Sequence, residues 1–455
     1  MRDNLITCDK FNFISIMEVR ACKAVNEHAT FYIRGHVREG NDDYILDDIV
    51  NQSISFYAFD PMEGQKELFN GIISDIGMHT ENDMSILSVT VVSRSALMDV
   101  ALETRTFQDS GMTYENVTER MGADFNFLWP KHGGEHIDSM MVQYKETDWE
   151  FAKRLAGRLG TVLVPDYLLD EPHIAIGMTT RPVQAGIDML SFKKYKSTTD
   201  YRLCSHSIDL EERVSIEYKV KSRDIFDLCD GIPFMGQTLY VYAIDTVYEG
   251  NELLHYYTLK EKEGFYTRKR INEDLIGASL IGKVIAVQHD HVQVKINNDV
   301  EQTNHKWFPY ATSFTQPDGF GWYFMPEVGD EVRVEFPGSL EHDAYVSSAL
   351  HITHGSRMDA DVKYIRTING QVIQFCPERI IFNDGAGSSV ILDKEQGISL
   401  NTDKIINVEA QSHIILNATG KLEFAGGKGV SVQKGNSVVN IEDMIDISSE
   451  HTRVQ

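Results

Sequence analysis

From Val390 onward the chain repeats a pair of apolar residues two positions apart. Val390/Leu392, Ile398/Leu400, Ile406/Val408, Ile414/Leu416, Leu422/Phe424 and Val430/Val432 each begin eight residues after the pair before. Ile380/Phe382 and Ile445/Ile447 keep the pairing without the strict step. Residues i and i+2 share one face of a strand, and Gly, Asn, Asp and Lys between the pairs supply turns, so the pattern predicts a ladder of short strands with one apolar face. Burying each Ile, Leu or Val is worth roughly 1.5–3 kcal/mol, which an isolated ladder forfeits. Self-association about an axis recovers it: three ladders form a prism, with the twelve paired residues from Val390 to Val432 on the trimer axis. A monomeric solenoid is the rival fold, although this segment would make only roughly three coils, open at both ends.

The whole chain has 455 residues, 42% of them hydrophobic, enough for several cored domains. A formal net charge of −25 argues against a nucleic-acid partner, because phosphate neutralisation needs clustered Lys and Arg. The basic clusters, Lys193/Lys194/Lys196 and Arg268/Lys269/Arg270, read as solvated faces. The five cysteines, Cys8, Cys22, Cys204, Cys229 and Cys376, are odd in number and lack CxxC spacing, which predicts reduced, packed thiols. The N-terminal residues have no apolar signal-peptide core and no run reaches a membrane span, so synthesis and folding in the cytoplasm are expected.

Ala29–Val37, Ser53–Phe59, Gly71–Gly77 and Ser85–Ser93 are β-branched or aromatic runs that predict strands. Thr147 and Glu150 form a capping box, and Phe151, Ala152, Leu155, Ala156 and Leu159 recur at helical spacing until Gly160. A shorter helix is expected over Tyr114–Met121. Strands return at Val162–Pro165, His173–Ile176, Val214–Val220, Leu239–Val247 and His255–Leu259. Alternation through Leu280–Ile296, then Glu331–Phe336 and Ala344–Val346, describes a small antiparallel barrel of OB type.

Candidate chemistry is sparse. Asp42/Asp43 and Asp47/Asp48 lack the ordered spacing of a calcium loop. His132 and His136, with Glu135, have no third ligand of obvious spacing, and His289/His291 read as exposed polar positions. Ala425 to Gly429 lacks both the upstream glycine and the Ser or Thr of a phosphate loop. No catalytic, cofactor-binding or metal-binding constellation emerges.

Three stretches carry a resemblance. Gln143-Tyr144-Lys145-Glu146-Thr147-Asp148-Trp149-Glu150-Phe151, running into Arg154-Leu155-Ala156, looks like a signature of the VgrG and phage late-control D family. Ser93-Arg94-Ser95 with Arg105-Thr106-Phe107-Gln108 is similar to the same family. Trp307, Pro309, Tyr310 and Ala311, then Gly319 to Val332, resemble its OB-like domain, and Gly387 to Val390 its β-needle.

The resemblance implies a mainly β chain: a hub of two β-barrel-like units with helices over 1–272, an OB-like barrel over 273–351, a linker over 352–361 and a trimeric β-helix or β-prism needle over 362–455. It implies the structural, non-enzymatic spike of a contractile injection machine, whether phage tail, phage-tail-like particle or type VI secretion apparatus. The expected partners are two further copies, an inner-tube protein and baseplate proteins at the hub, with a PAAR-type tip protein at the C-terminus. The target membrane is met only by mechanical puncture, as the assembled particle contracts outward. The linker is too short for an inserted enzyme, and His451 stands alone, so no tip metal is expected. The alternative is a glycan-degrading trimeric tailspike using Asp393/Glu395 or Glu442/Asp443. A receptor-binding adhesin finds no support, because no exposed aromatic cluster is expected.

Overall fold

The computed structural model describes residues 6–37, 52–60, 64–81, 84–122, 124–205, 211–316, 318, 320–350, 359–451 and 453. Asp42, Asp43, Asp47, Asp48 and most of the 352–361 linker lie outside the described residues. The chain divides into the units Met1–Ile352 and Thr353–Gln455.

In the first unit, the two expected β units meet edge to edge in one 11-stranded sheet. The joint is the antiparallel pairing of Phe13–Ala24 with Gln237–Glu249, in which Ala24 faces Ala243 and Arg20 faces Val247. Thr30–Val37 alternates buried and half-buried side chains, the period-2 signature of a sheet with one covered face. Phe31 stacks on Phe56 at 4.1 Å, and Phe69 on Tyr167 at 6.1 Å, in the core beneath. Cys22 departs from the expectation of packed thiols: it is exposed, because it lies on the uncovered face of its strand.

Outside this sheet, two helices, α1 (Tyr114–Glu119) and α2 (Asp148–Arg158), pack with the short strands Asn126–Leu128, Met141–Glu146 and Leu163–Pro165 around a second hydrophobic core. The Thr147 hydroxyl accepts the Glu150 N–H at 3.1 Å, and the Glu150 carboxylate accepts the Thr147 N–H at 3.1 Å. Phe151, Ala152, Leu155 and Ala156 turn the buried stripe of α2 into the core. Gly160 then takes φ +64°, ending the helix where a side chain would be strained. Gly157 has a different reason: a Cβ there would come within 2.6 Å of the Arg268 carbonyl oxygen.

The OB-like barrel is a five-stranded sheet in the order Trp307–Pro309, His291–Ile296, Ser279–Gln288, Glu331–Glu335, Tyr345–Ala349. A parallel bridge between Tyr310 and Val346 joins its two edges. Val284, Val292, Val294, Phe308, Val332, Val334 and Val346 fill it.

The second unit contains a five-stranded meander, Lys363–Arg366, Val372–Phe375, Arg379–Asn383, Ser389–Asp393 and Gly397–Asn401. It also contains a three-stranded sheet, Val430–Lys434, Ser437–Ile441 and Ile445–Ser448. Between them, residues 402–429 form no strand, unlike the continuous ladder that the octads predict. A strand exists only where a neighbour accepts and donates its backbone hydrogen bonds. Among the described residues no neighbouring strand pairs with that segment.

Candidate assembly surface and the joint between hub and barrel

Register decides which side chains share a face. In the meander Ile365 opposes Ile373, Ile373 opposes Phe382, Phe375 opposes Ile380, Phe382 opposes Val390, and Ile380 opposes Leu392. Val390 then opposes Leu400, and Leu392 opposes Ile398. Apart from Lys363 at one edge, this face is apolar, whereas the reverse mixes Tyr364, Val372, Ile381 and Ile391 with Arg366, Gln374, Arg379, Asn383, Asp393 and Asn401. The three-stranded sheet repeats the arrangement. Val430 pairs with Ile441, Val432 with Val439, Val439 with Ile447 and Ile441 with Ile445, while Ser431, Gln433, Asn440 and Asp446 take the other side.

Both faces stand largely exposed among the described residues. Ile398 is 73% exposed and Val432 64%, and Leu392 and Leu400 are exposed as well. Ile406, Val408, Ile414, Leu416, Leu422 and Phe424, in the stretch without strands, are each more than half exposed. An apolar surface of this extent marks an interaction site.

Of the acid pairs considered for a tailspike, Asp393/Glu395 does different work. The Asp393 carboxylate accepts the backbone N–H groups of Glu395 and Gln396 at 2.9 and 3.0 Å. Those N–H bonds, Gln396 first, hold the carboxyl below its usual range. A general acid needs the opposite shift. Asp393 is a turn former, as is Asp384, whose carboxyl is held low by the N–H groups of Ala386 and Ser388.

A second arrangement joins hub to barrel in the first unit, built largely from the motifs around Arg105 and Glu146. The Arg154 guanidinium on α2 donates to Glu146 at 2.8 and 3.1 Å, to the Val142 carbonyl at 2.5 Å and to Glu341 of the barrel at 2.7 Å. Burial works against its charge, but the two carboxylates outweigh that and keep its pKa above the usual arginine value. The Gln108 amide donates to the Asp299 carboxylate at 2.8 and 2.9 Å and to the Val294 carbonyl at 2.9 Å. Thr106 also bonds Asp299. Burial raises the Asp299 carboxyl, and these donors counter it only in part. Arg105 reaches Asp148 at 2.5 Å and Gln143 at 2.8 Å, tying the strand to the start of α2.

The sequence motifs include Arg105, Gln108, Glu146 and Arg154 but not their partners in the barrel. Asp299 and Glu341 stand more than 180 residues away from Gln108 and Arg154, and nothing local marks them.

Among the described residues no group of three His, Cys, Asp or Glu side chains is placed to hold a metal ion. His132 bonds Glu135 at 2.7 Å, whereas His136 bonds the Gly111 carbonyl. His291 bonds its neighbour Asp290.

One expectation fails outright. Phe314, Phe320, Trp322, Tyr323 and Phe324 form an exposed aromatic cluster on the barrel, each at least half exposed. The consecutive Trp322-Tyr323-Phe324 is the only local signal of it. That signal is weak, because a sequence does not state whether an aromatic is covered.

Residues 28–166 match the family model described as phage tail baseplate hub (GPD), and residues 280–351 the one described as type VI secretion system/phage-baseplate injector OB domain. Among solved structures, the E. coli c3393 protein is described as a component of the type VI secretion system with structural similarity to the T4 bacteriophage tail proteins gp27 and gp5. It matches with TM-score 0.54 and 12% identity over 76% of this chain and 99% of its own. A chain of the half-lidded Francisella PdpA-VgrG complex matches with TM-score 0.55 and 10% identity over 85% of this chain and 83% of its own. In the lidded form the values are 0.56, 10%, 85% and 76%. At these identities the likeness concerns the fold. No curated protein matches the chain.

Proposed function

We propose that this chain is a spike protein of the VgrG and phage late-control D type, given its matches to the baseplate hub model over residues 28–166 and the injector OB-domain model over residues 280–351, and that three copies assemble into the spike of a contractile injection machine. One observation carries the reading: two sheets and the stretch between them each leave apolar side chains in water that a single chain cannot cover. Three copies arranged about an axis bury those faces against one another, and the open backbone of 402–429 gains partners from neighbouring copies. The product is a stiff needle with its edges paired.

In this reading the hub caps the inner tube and meets the baseplate, the barrel forms the neck, and the needle is driven through the target envelope when the machine contracts. The work is mechanical, and no residue acts as a catalyst. The joint at Arg154 and Gln108 fits that role, since thrust from the hub must reach the needle through a barrel that does not pivot.

Light scattering on the full chain tests the assembly. The expected mass is three times the 51.6 kDa chain, and Ile414→Asp, which sets one charge per copy on the axis, lowers it. A monomeric full-length protein would overturn the trimer and leave the solenoid.

A further inference from the structure

The structure splits the basic run Lys193/Lys194/Lys196 between the two faces of its strand. Lys194 and Lys196 lie on the core side of the edge strand Met189–Lys196, where Lys194 sits 5.3 Å from the centre of the Tyr218 ring and Lys196 donates to Glu212 at 2.6 Å. Lys193 lies on the other face. Register sets it directly opposite Lys219 of the neighbouring strand Ile216–Ser222, and Lys221, two residues along, opposes Ser191. Tyr218, Val220 and Ser222 of that strand are buried, so Lys219 and Lys221 stand with Lys193 on the uncovered face of the 11-stranded sheet.

Like charges directly opposite each other on a sheet face repel. Lys193 and Lys219 are both exposed, and among the described residues neither has an ion-pair partner. The acid two residues before Lys219, Glu217, is taken by Lys260 at 2.7 Å. Lys221 lies 5.1 Å from the centre of the Tyr256 ring and 3.7 Å from the Glu249 carboxylate. In a chain of net charge −25 this row is a local reversal of sign. It attracts acidic groups at short range, whereas the charge of the whole chain repels a long polyanion.

Spacing narrows the class of ligand. Lys219 and Lys221 are two strand residues apart, about 6.7 Å of rise, which is also the distance between alternate side chains of any extended peptide. An extended segment laid along Ile216–Ser222 therefore sets one carboxylate between Lys193 and Lys219 and the next beside Lys221. Tyr195, 57% exposed and opposite Glu217, continues the same face.

We propose that this lysine row is a docking surface for an extended acidic segment of another protein, with Asp or Glu at every second position. The proposal does not depend on how many copies of the chain assemble.

The test uses the full chain and a fluorescein-labelled peptide of five Glu-Ser repeats, followed by fluorescence anisotropy at low and physiological salt. The peptide is expected to bind the parent and to bind less tightly as salt rises. Lys193→Glu/Lys219→Glu should weaken it about tenfold or more, because like charges then face each other across the contact. Lys219→Gln, which removes one charge and relieves the cross-strand repulsion, is expected to bind the peptide severalfold more weakly while melting no lower than the parent. No saturable binding to the parent, or equal binding to the parent and both variants, would overturn the docking surface. Equal or tighter binding of an oligothymidylate of matched charge would overturn it too, by assigning the row to polyanions in general. Light scattering of the double variant is expected to give the parent's mass. A lowered mass would assign the lysines to a contact between copies and so overturn the proposal.

Discussion

Arg154 on α2 and Glu341 in the barrel are 2.7 Å apart, and both are buried. Glu146 completes the site from the other side, so one guanidinium bridges two carboxylates that would otherwise lie out of water with no positive charge between them. Such a pair contributes modestly while intact and costs a great deal when half of it is removed.

Arg154→Ala is therefore expected to destabilise the first unit by about 3–5 kcal/mol, because Glu146 and Glu341 are left buried and unpaired. Arg154→Lys keeps the charge but not the fork, and should fall between. Urea unfolding of the full chain reads the shift. Raised hydrogen exchange along Ser279–Gln288 would show that the barrel has come loose from the hub.

Lys23 offers a pH test. It is buried, donates to the Leu68 carbonyl at 2.6 Å and lies 4.2 Å from the centre of the Tyr167 ring. Burial pushes its ammonium down to about 8 from 10.5, with Lys66 and Arg181 adding to the shift and Asp227 opposing it. Between those two values the unfolded chain holds the extra proton, so the Lys23 contribution to stability rises with pH across that window and sits at its low plateau below about 8. Lys23→Met should abolish that slope, closing a gap of about 3 kcal/mol between neutral and alkaline pH. Parallel stability curves for parent and variant would contradict it.

Thr147 caps α2 through its bond to the Glu150 N–H and also bonds Asp99. Thr147→Ala should cost about 1–2 kcal/mol, and Thr147→Ser much less, since the serine hydroxyl reaches both partners. Thermal melts of the two variants compare them directly.

The apolar face of the meander is tested by neighbours in sequence. Ile398 lies on that face and Ser399 on the reverse. Ile398→Asp is expected to reduce the assembled mass, whereas Ser399→Asp leaves it unchanged. Equal behaviour of the two variants would mean that the face assigned by register is not the one that assembles.

Features set by residues close together are legible in the sequence. The capping box at Thr147 and Glu150, the helical stripe from Phe151 to Ala156 and the apolar pairs from Val390 onward are periodic, and a period of 3.6 or 2 names its element without knowing the neighbours. The strand His173–Ile176 has the same bounds in sequence and structure. The strand Phe13–Ala24, which joins the two β units, does not declare itself in this way, because Glu18, Arg20 and Lys23 interrupt its apolar character and only the fold buries Lys23.

What tertiary structure alone decided is who meets whom across long stretches of chain. Gln108 finds Asp299, and Arg154 finds Glu341, because the sheet and α2 bring the barrel against them. The aromatic cluster is visible as letters in the sequence, yet its exposure is a property of what packs nearby. Octads likewise declare one oily face per strand. Whether 402–429 forms strands depends on backbone partners that lie elsewhere, since a strand's hydrogen bonds, unlike a helix's, are never satisfied within its own segment.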